Sequence, residues 1–241
     1  MHNSMRNYKI IIFDLDGTVT ESRSLISEYI FSALLELDKK YNVGIISGAE
    51  LSQMSKQIPG LINSGFFIMS QSGNVIIDPQ GKESWNFQMT FEERTQALEH
   101  IKALKEKFPV KSYTSNEDTI EDRGAQITYC AIGCNTLFGE KIKFDPDGKI
   151  RKMWLENIPL KKRLIEARIA GTTSIDYTAI NRNKGANIEK LMGIMNWKAE
   201  DCLYVGDALF IGGNDETVLG VCETKLVFGP EDILKITEEL T

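Results

Sequence analysis

Residues 10–20, IIIFDLDGTVT, constrain the fold more than any other stretch of this chain. An apolar run of strand type delivers two carboxylates, Asp14 and Asp16, and then turns on Gly17. Residues 24–40 repeat Leu25, Ile26, Tyr29, Ile30, Ala33, Leu34 and Leu37 at helical spacing, so the opening reads as a strand followed by a helix. Near the other end, residues 203–215, LYVGDALFIGGND, form a second short apolar strand. It carries Asp207 at its carboxyl end, then a glycine pair and Asn214-Asp215. In doubly wound sheets, functional groups gather where adjacent strands end, so two distant strand ends can share one crevice. The expected class is α/β, with a Rossmann-like core built on a parallel sheet.

The acids suggest a chemistry. In an extended segment residues i and i+2 point the same way, so Asp14 and Asp16 are expected to face one reaction centre. A carboxylate attacks phosphorus when a metal neutralises the charge between them, and a second carboxylate can carry the proton. Two further polar groups sit at matching places. Residues 43–48, VGIISG, end an apolar run at Ser47, whose hydroxyl can donate to a phosphate oxygen. Residues 181–185, NRNKG, place Lys184 just before a helical pattern carrying Ile188, Leu191, Met192 and Met195.

Composition narrows the partners. The formal charge of -6 and pI near 5.2 argue against a general nucleic-acid surface, which shows a basic excess or stripe. Lys161, Lys162 and Arg163 are a basic run, but acids surround them and no aromatic residues interleave, so they read as a solvated helix face. No apolar run approaches the roughly 20 residues needed to span a bilayer. The opening MHNSMRNYK has no apolar stretch of signal-peptide type. A cytoplasmic protein with no membrane partner is the expectation. Cys130, Cys134, Cys202 and Cys222 show no C-x-x-C spacing, and with two histidines no zinc site emerges; reduced thiols filling core space are expected. Asp145 and Asp147 read as a turn, and Trp85, Trp154 and Trp197 as packing anchors.

Taken in order, the aspartate block, Ser47, Lys184 and the acidic block of Asp207 and Asp215 resemble the haloacid dehalogenase superfamily of phosphotransferases. The long glycine-rich form GDALFIGGND is similar to that of the eukaryotic-type phosphomannomutases and related sugar phosphatases. FDLDGTVTESR resembles that family's opening block, including a sugar-phosphate arginine at Arg23. IEDRGAQITYCAIG resembles its cap block, with a phosphate-holding arginine at Arg123, and TSIDYT places Ser174 and Asp176 at its sugar contacts. Two departures stand out. Cys134 and Lys141 occupy positions where the resemblance leads one to expect arginine, and Ser47-Gly48-Ala49 is closer to the sugar phosphatases than to the mutases.

The resemblance implies a core of residues 1–81 and 182–241 and an inserted α+β cap of residues 82–181 that selects the substrate. It implies Mg2+ held by Asp14, the backbone carbonyl of Asp16 and Asp207, with Asp215 supporting it directly or through water, an attack by Asp14, proton transfer by Asp16, and charge spreading by Ser47 and Lys184. Arg23, Arg123, Lys141, Ser174 and Asp176 would bind a small sugar phosphate, and a homodimer through the cap is a further implication. A mutase must grip a second phosphate, and planar arginine forks suit that grip better than cysteine or lysine. The missing arginines therefore favour a sugar-phosphate phosphatase; a mutase interconverting mannose 1-phosphate and mannose 6-phosphate is the alternative, and a non-catalytic phosphosugar-binding regulator a remote one.

For the local structure, helices are expected over 49–57 and 90–107, the latter with a Thr90/Glu93 capping box, and over 160–168. Strands are expected over 66–69, 75–78, 111–114, 119–122 and 125–131.

Overall fold

The computed structural model describes residues 8–161 and 163–240, with Phe138 described by its backbone only. The opening segment 1–7 and Lys162 of the basic run lie outside the described residues. The chain divides into two compact units. One comprises the chain to Asn86, Arg182–Ile211 and the segment from Asp215 on; the other comprises Phe87–Asn181 with Gly212–Asn214.

The first unit is a seven-stranded sheet. In chain order its strands are β1 (Ile10–Asp14), β2 (Asn42–Ile46), β3 (Phe67–Ser70), β4 (Val75–Ile77) and β5 (Glu83–Asn86), with β10 (Cys202–Gly206) and β11 (Glu223–Leu226) arriving late. The spatial order is β11-β10-β1-β2-β3-β4-β5. The first five of these are parallel; β4 pairs antiparallel with β3, and β5 antiparallel with β4. All five residues of β1 are buried, as a strand covered on both faces requires. Ile11 and Phe13 pack with Ile30, Leu34 and Leu37 of α1 (Glu28–Asp38) and with Ile233 and Ile236 of α7 (Glu231–Leu240). The helix α2 (Leu51–Gln57) follows β2, and α6 (Lys184–Ile194) precedes β10.

β1 is the point where the strand order reverses: β2 lies on one side and β10 on the other. Crevices at such switch points open at the carboxyl ends of the strands. The sheet continues to Asn86 because β5 pairs with β4, with Trp85 opposite Ile76. The domain boundary read at residues 81–82 thus falls ahead of this edge strand.

The second unit is a four-stranded antiparallel sheet of order β6-β7-β9-β8, built from β6 (Ile120–Asp122), β7 (Gln126–Cys130), β8 (Ile165–Ala170) and β9 (Ser174–Ala179). Its helices are α3 (Phe91–Lys107), α4 (Phe138–Phe144) and α5 (Lys149–Asn157). The Thr90/Glu93 capping box opens α3 as expected. One face of the sheet, through Ile127, Tyr129, Ile165, Ile175 and Tyr177, packs with Ala97, Ile101 and Leu104 of α3 and Trp154 of α5. Trp154 stacks on Phe108, and Trp85 in the first unit donates to the Gly73 carbonyl, so both act as packing anchors. Asp145 and Asp147 do lie at a break between helices, but Asp145 is buried and binds the equally buried Arg151.

Three expectations fail here. The helix expected over 160–168 gives way to β8, because pairing with β9 along six residues outweighs the helix propensity of its Lys, Arg, Leu and Glu. The segment 111–114 is not a strand; Tyr113 makes one backbone bond, to the Ile132 carbonyl, and the chain turns away. Cys130 and Cys134 are not reduced fillers but form a disulfide, with Cα atoms 5.1 Å apart. The turn at Gly133, whose N–H bonds the Cys130 carbonyl, folds Cys134 back onto the end of β7. Cys202 and Cys222 are free thiols.

Candidate active site

Asp14 closes β1, and Asp207 follows directly on β10, which pairs with β1 in parallel. Asp215 lies on the loop beyond. Ligand oxygens of these three acids lie within 4.8 Å of one another. From the start of α6, capped by the Asn183 side chain, Lys184 reaches into the same place. Its Nζ lies 2.5 Å from Asp14 Oδ1 and 2.7 Å from Asp215 Oδ1. Tyr204 donates to Asp215 Oδ1 at 2.6 Å, and Thr18 to Asp207 Oδ1 at 3.2 Å.

Two glycines make the approach possible. Gly17 has φ +86°, and a Cβ there would lie 2.6 Å from Asp207 Oδ2. A Cβ on Gly206 would lie 2.4 Å from Asp215 Oδ2. Any side chain at either place would push the acids apart.

Burial pushes the Asp14 carboxyl well above its ordinary pKa, the Lys184 ammonium opposing and Asp215 and Asp207 adding to the rise. Burial raises Asp207 too, helped by Asp215. For Lys184 burial works against the ammonium, but Asp14 and Asp215 outweigh it and hold the charge. Three carboxylates against one ammonium leave a formal excess of two negative charges in a buried cluster. Asp14 Oδ2 is moreover a buried acceptor with no hydrogen-bond partner among the described residues. A divalent cation fits that excess of negative charge and leaves Oδ2 open. Asp14, Asp207 and Asp215 are the side chains placed to hold it.

Asp16 stands apart from this cluster. β1 ends at Asp14, so the alternation expected to align both acids does not extend to Asp16, which lies in the following turn. Its Oδ1 accepts from the Arg23 backbone N–H at 2.7 Å and from Gln57 Nε2 at 2.9 Å. Arg23 itself is exposed, at φ +57°. Ser47 follows β2 one residue beyond Ile46, the partner of Asp14, and its Oγ accepts from Ala49 N–H. Tyr204, Thr18 and Gln57 were not singled out from the sequence. Thr18 lies inside the aspartate block, whereas Gln57 comes from the end of α2 and carries no local signal.

In the second unit the register sets Thr128 and Cys130 of β7 opposite Asp176 and Ser174 of β9. Thr128 donates to Asp176 Oδ1 at 2.8 Å. Burial raises the Asp176 pKa, with the Arg123 charge opposing. Arg123 pairs with Glu121 at 2.7 Å. Ser174 Oγ lies 3.7 Å from Cys130 Sγ, and Lys141 Nζ donates to the Cys134 carbonyl at 2.5 Å. Arg123 and Asp176 thus come together, while Ser174 and Lys141 flank the disulfide.

A family model described as haloacid dehalogenase-like hydrolase matches residues 11–224. A phosphomannomutase of Drosophila melanogaster is 25% identical over 256 residues, covering 98% of this chain and 96% of the relative. One from Saccharomyces cerevisiae is 25% identical over 254 residues, covering 96% and 93%. Among solved structures, a haloacid dehalogenase-like hydrolase from Bacteroides thetaiotaomicron shares the fold at TM-score 0.61 and 15% identity, over 97% of this chain and 100% of that one. The IMP-nucleotidase of Plasmodium falciparum shares it at TM-score 0.69 and 14% identity, over 97% of this chain and 68% of that one. With its acids at the strand switch point and a model match over most of its length, the chain belongs to the haloacid dehalogenase-like hydrolase family.

Proposed function

We propose that this chain is a magnesium-dependent phosphotransferase acting on hexose phosphates through an aspartyl phosphate, in the manner of a phosphomannomutase. The observation that carries the reading is the unpartnered buried Oδ2 of Asp14 inside a cluster of three acids and one lysine. A nucleophilic oxygen must be unencumbered by donors, and this one is. The missing arginines favour hydrolysis; the relatives, aligned over nearly the whole chain, favour transfer.

A cation held by Asp14, Asp207 and Asp215 would neutralise charge between the carboxylates and the phosphate. Asp14 Oδ2 forms a bond to phosphorus as the bond from phosphorus to the sugar oxygen breaks. The electron pair goes to the sugar oxygen, which takes a proton from Asp16. The Arg23 N–H and Gln57 hold the Asp16 carboxyl in place. Lys184 offsets the negative charge of Asp14 and Asp215. Asp16, now ionised, takes the proton of a second sugar hydroxyl as that oxygen bonds to phosphorus and the bond from phosphorus to Asp14 Oδ2 breaks, its electron pair returning to the carboxylate. Water in place of that hydroxyl gives hydrolysis instead, the second reading, which the loss of arginine at Cys134 and Lys141 supports.

Phosphorus NMR of the protein with magnesium and mannose 1-phosphate, with and without a hexose 1,6-bisphosphate, tests the assignment. Mannose 6-phosphate with little free phosphate is expected. Free phosphate dominating in both samples makes the protein a phosphatase. The Asp14→Asn variant should give neither product, and turnover in that variant would sink the mechanism.

A further inference from the structure

The two free thiols belong to the first unit, and the phosphotransferase reading uses neither. Leu203 of β10 pairs with Glu223 of β11 in parallel register. The residues just before them, Cys202 and Cys222, therefore lie next to one another where the two strands begin. Adjacent strands run about 4.8 Å apart, inside the roughly 4.4–6.8 Å between Cα atoms that a disulfide spans. The two side chains also meet, for the Cys202 thiol is hydrogen-bonded to Cys222.

The pair is asymmetric. Cys202 is fully buried and has Ile10 of β1 beside it on the other side. Cys222 is half-buried and lines a surface pocket of about 580 Å³ together with Glu200, Asp201 and Glu223. The hydrogen bond to Cys222 pushes the Cys202 thiol pKa up and burial adds to the rise, which keeps Cys202 protonated. Cys222 is thus the sulfur that an incoming reagent meets, with Cys202 in contact behind it.

We propose that Cys202 and Cys222 form a thiol–disulfide exchange site, with Cys222 the attacking and Cys202 the resolving thiol, that takes a small disulfide as oxidant and a small dithiol as reductant. Cys222, as the thiolate, attacks one sulfur of the small disulfide. The disulfide bond breaks, and its electron pair leaves on the released sulfur, which takes up the proton Cys222 lost. Cys202 then gives up its proton and attacks Cys222 Sγ, releasing the second small thiol. Two protein thiols are oxidised and one small disulfide is reduced to two thiols; a dithiol runs the same steps backwards. The bond would tie β11 to β10 at their amino ends, about 13 Å along β10 from Gly206 and so away from the acids at its carboxyl end.

The test exposes the folded full chain to bis(2-hydroxyethyl) disulfide, quenches with acid, alkylates and maps the peptides by mass spectrometry. The parent is expected to lose both free thiols and two hydrogens, with Cys202 linked to Cys222 and Cys130 still linked to Cys134. A small dithiol should restore the Cys202 and Cys222 thiols. Cys202→Ser should stop with a hydroxyethylthio group on Cys222, and Cys222→Ser should react at least about 10-fold more slowly, because Cys202 is reached only through local opening. A parent that keeps the hydroxyethylthio group on Cys222 without closing the bond to Cys202 overturns the assignment. So does a parent left unmodified, or a Cys222→Ser variant that reacts as fast as the parent. Should Cys202→Ser not fold, Cys202→Ala takes its place, and the parent's own product decides the question in either case.

Discussion

Replacing Lys184 by methionine should make the core depend on a divalent cation. The side chain is 3% exposed and its ammonium contacts both Asp14 and Asp215. Methionine keeps most of the volume, so the loss is electrostatic rather than a cavity. Removing one partner of a buried ion pair costs about 3–5 kcal/mol. At about 2–4 °C per kcal/mol for a unit of this size, the variant should melt roughly 10 °C lower in chelator. The cluster now carries three formal negative charges instead of two. Magnesium at a hundred times its Kd restores about 2.7 kcal/mol, and the tighter binding expected of the more negative site makes the shift larger in the variant than in the parent. Asp14 and Asp207 then have folded pKa values raised further above their unfolded ones. The folded state binds more protons, so the variant should regain stability as pH falls through those raised values. Thermal melts in chelator and in magnesium, at several pH values, read all three effects. A variant melting within about 2 °C of the parent in chelator, or a magnesium shift no larger than the parent's, would refute the assigned charge balance.

Two further outcomes follow from the second unit. His100 is buried, accepts from Tyr177 through Nδ1 and so donates through Nε2 to the Ile158 carbonyl. Burial lowers its pKa, the Ile158 bond opposing, so the unfolded chain protonates first and stability should fall as pH drops below about 6.5. His100→Gln should flatten that slope in urea unfolding between about pH 8 and about pH 5; an unchanged slope would assign it to other groups. Denatured under alkylating conditions, the protein should label at Cys202 and Cys222 alone, and at Cys130 and Cys134 only after reductant. At a sequence separation of 4, losing this link should lower stability by about 2 kcal/mol. Four labelled thiols without reductant would contradict the bond.

What the sequence made legible was local. The strand ending in Asp14, the strand before Asp207 and the helix starting at Lys184 each announce themselves within a few residues, and their convergence follows from the rule that parallel strands end together. The features that escaped depend on distant partners. β8 reads as a helix until β9 is beside it. The Cys130–Cys134 bond needs the reversal at Gly133, which spacing alone does not reveal. Tyr204 and Gln57 reach the site from a strand interior and a helix end, where nothing in their neighbours marks them.

The position of β1 also sets a timetable for synthesis. Residues 10–14 are synthesised well before one of their two strand partners, β10, which follows the whole insert in chain order. The sheet of the second unit draws all four strands from one continuous stretch, 120–179, and can close while the first unit still lacks β10 and β11. Chains stalled or truncated before Cys202 would therefore carry a finished insert and an open edge along β1, the kind of unpaired strand that invites association with other chains.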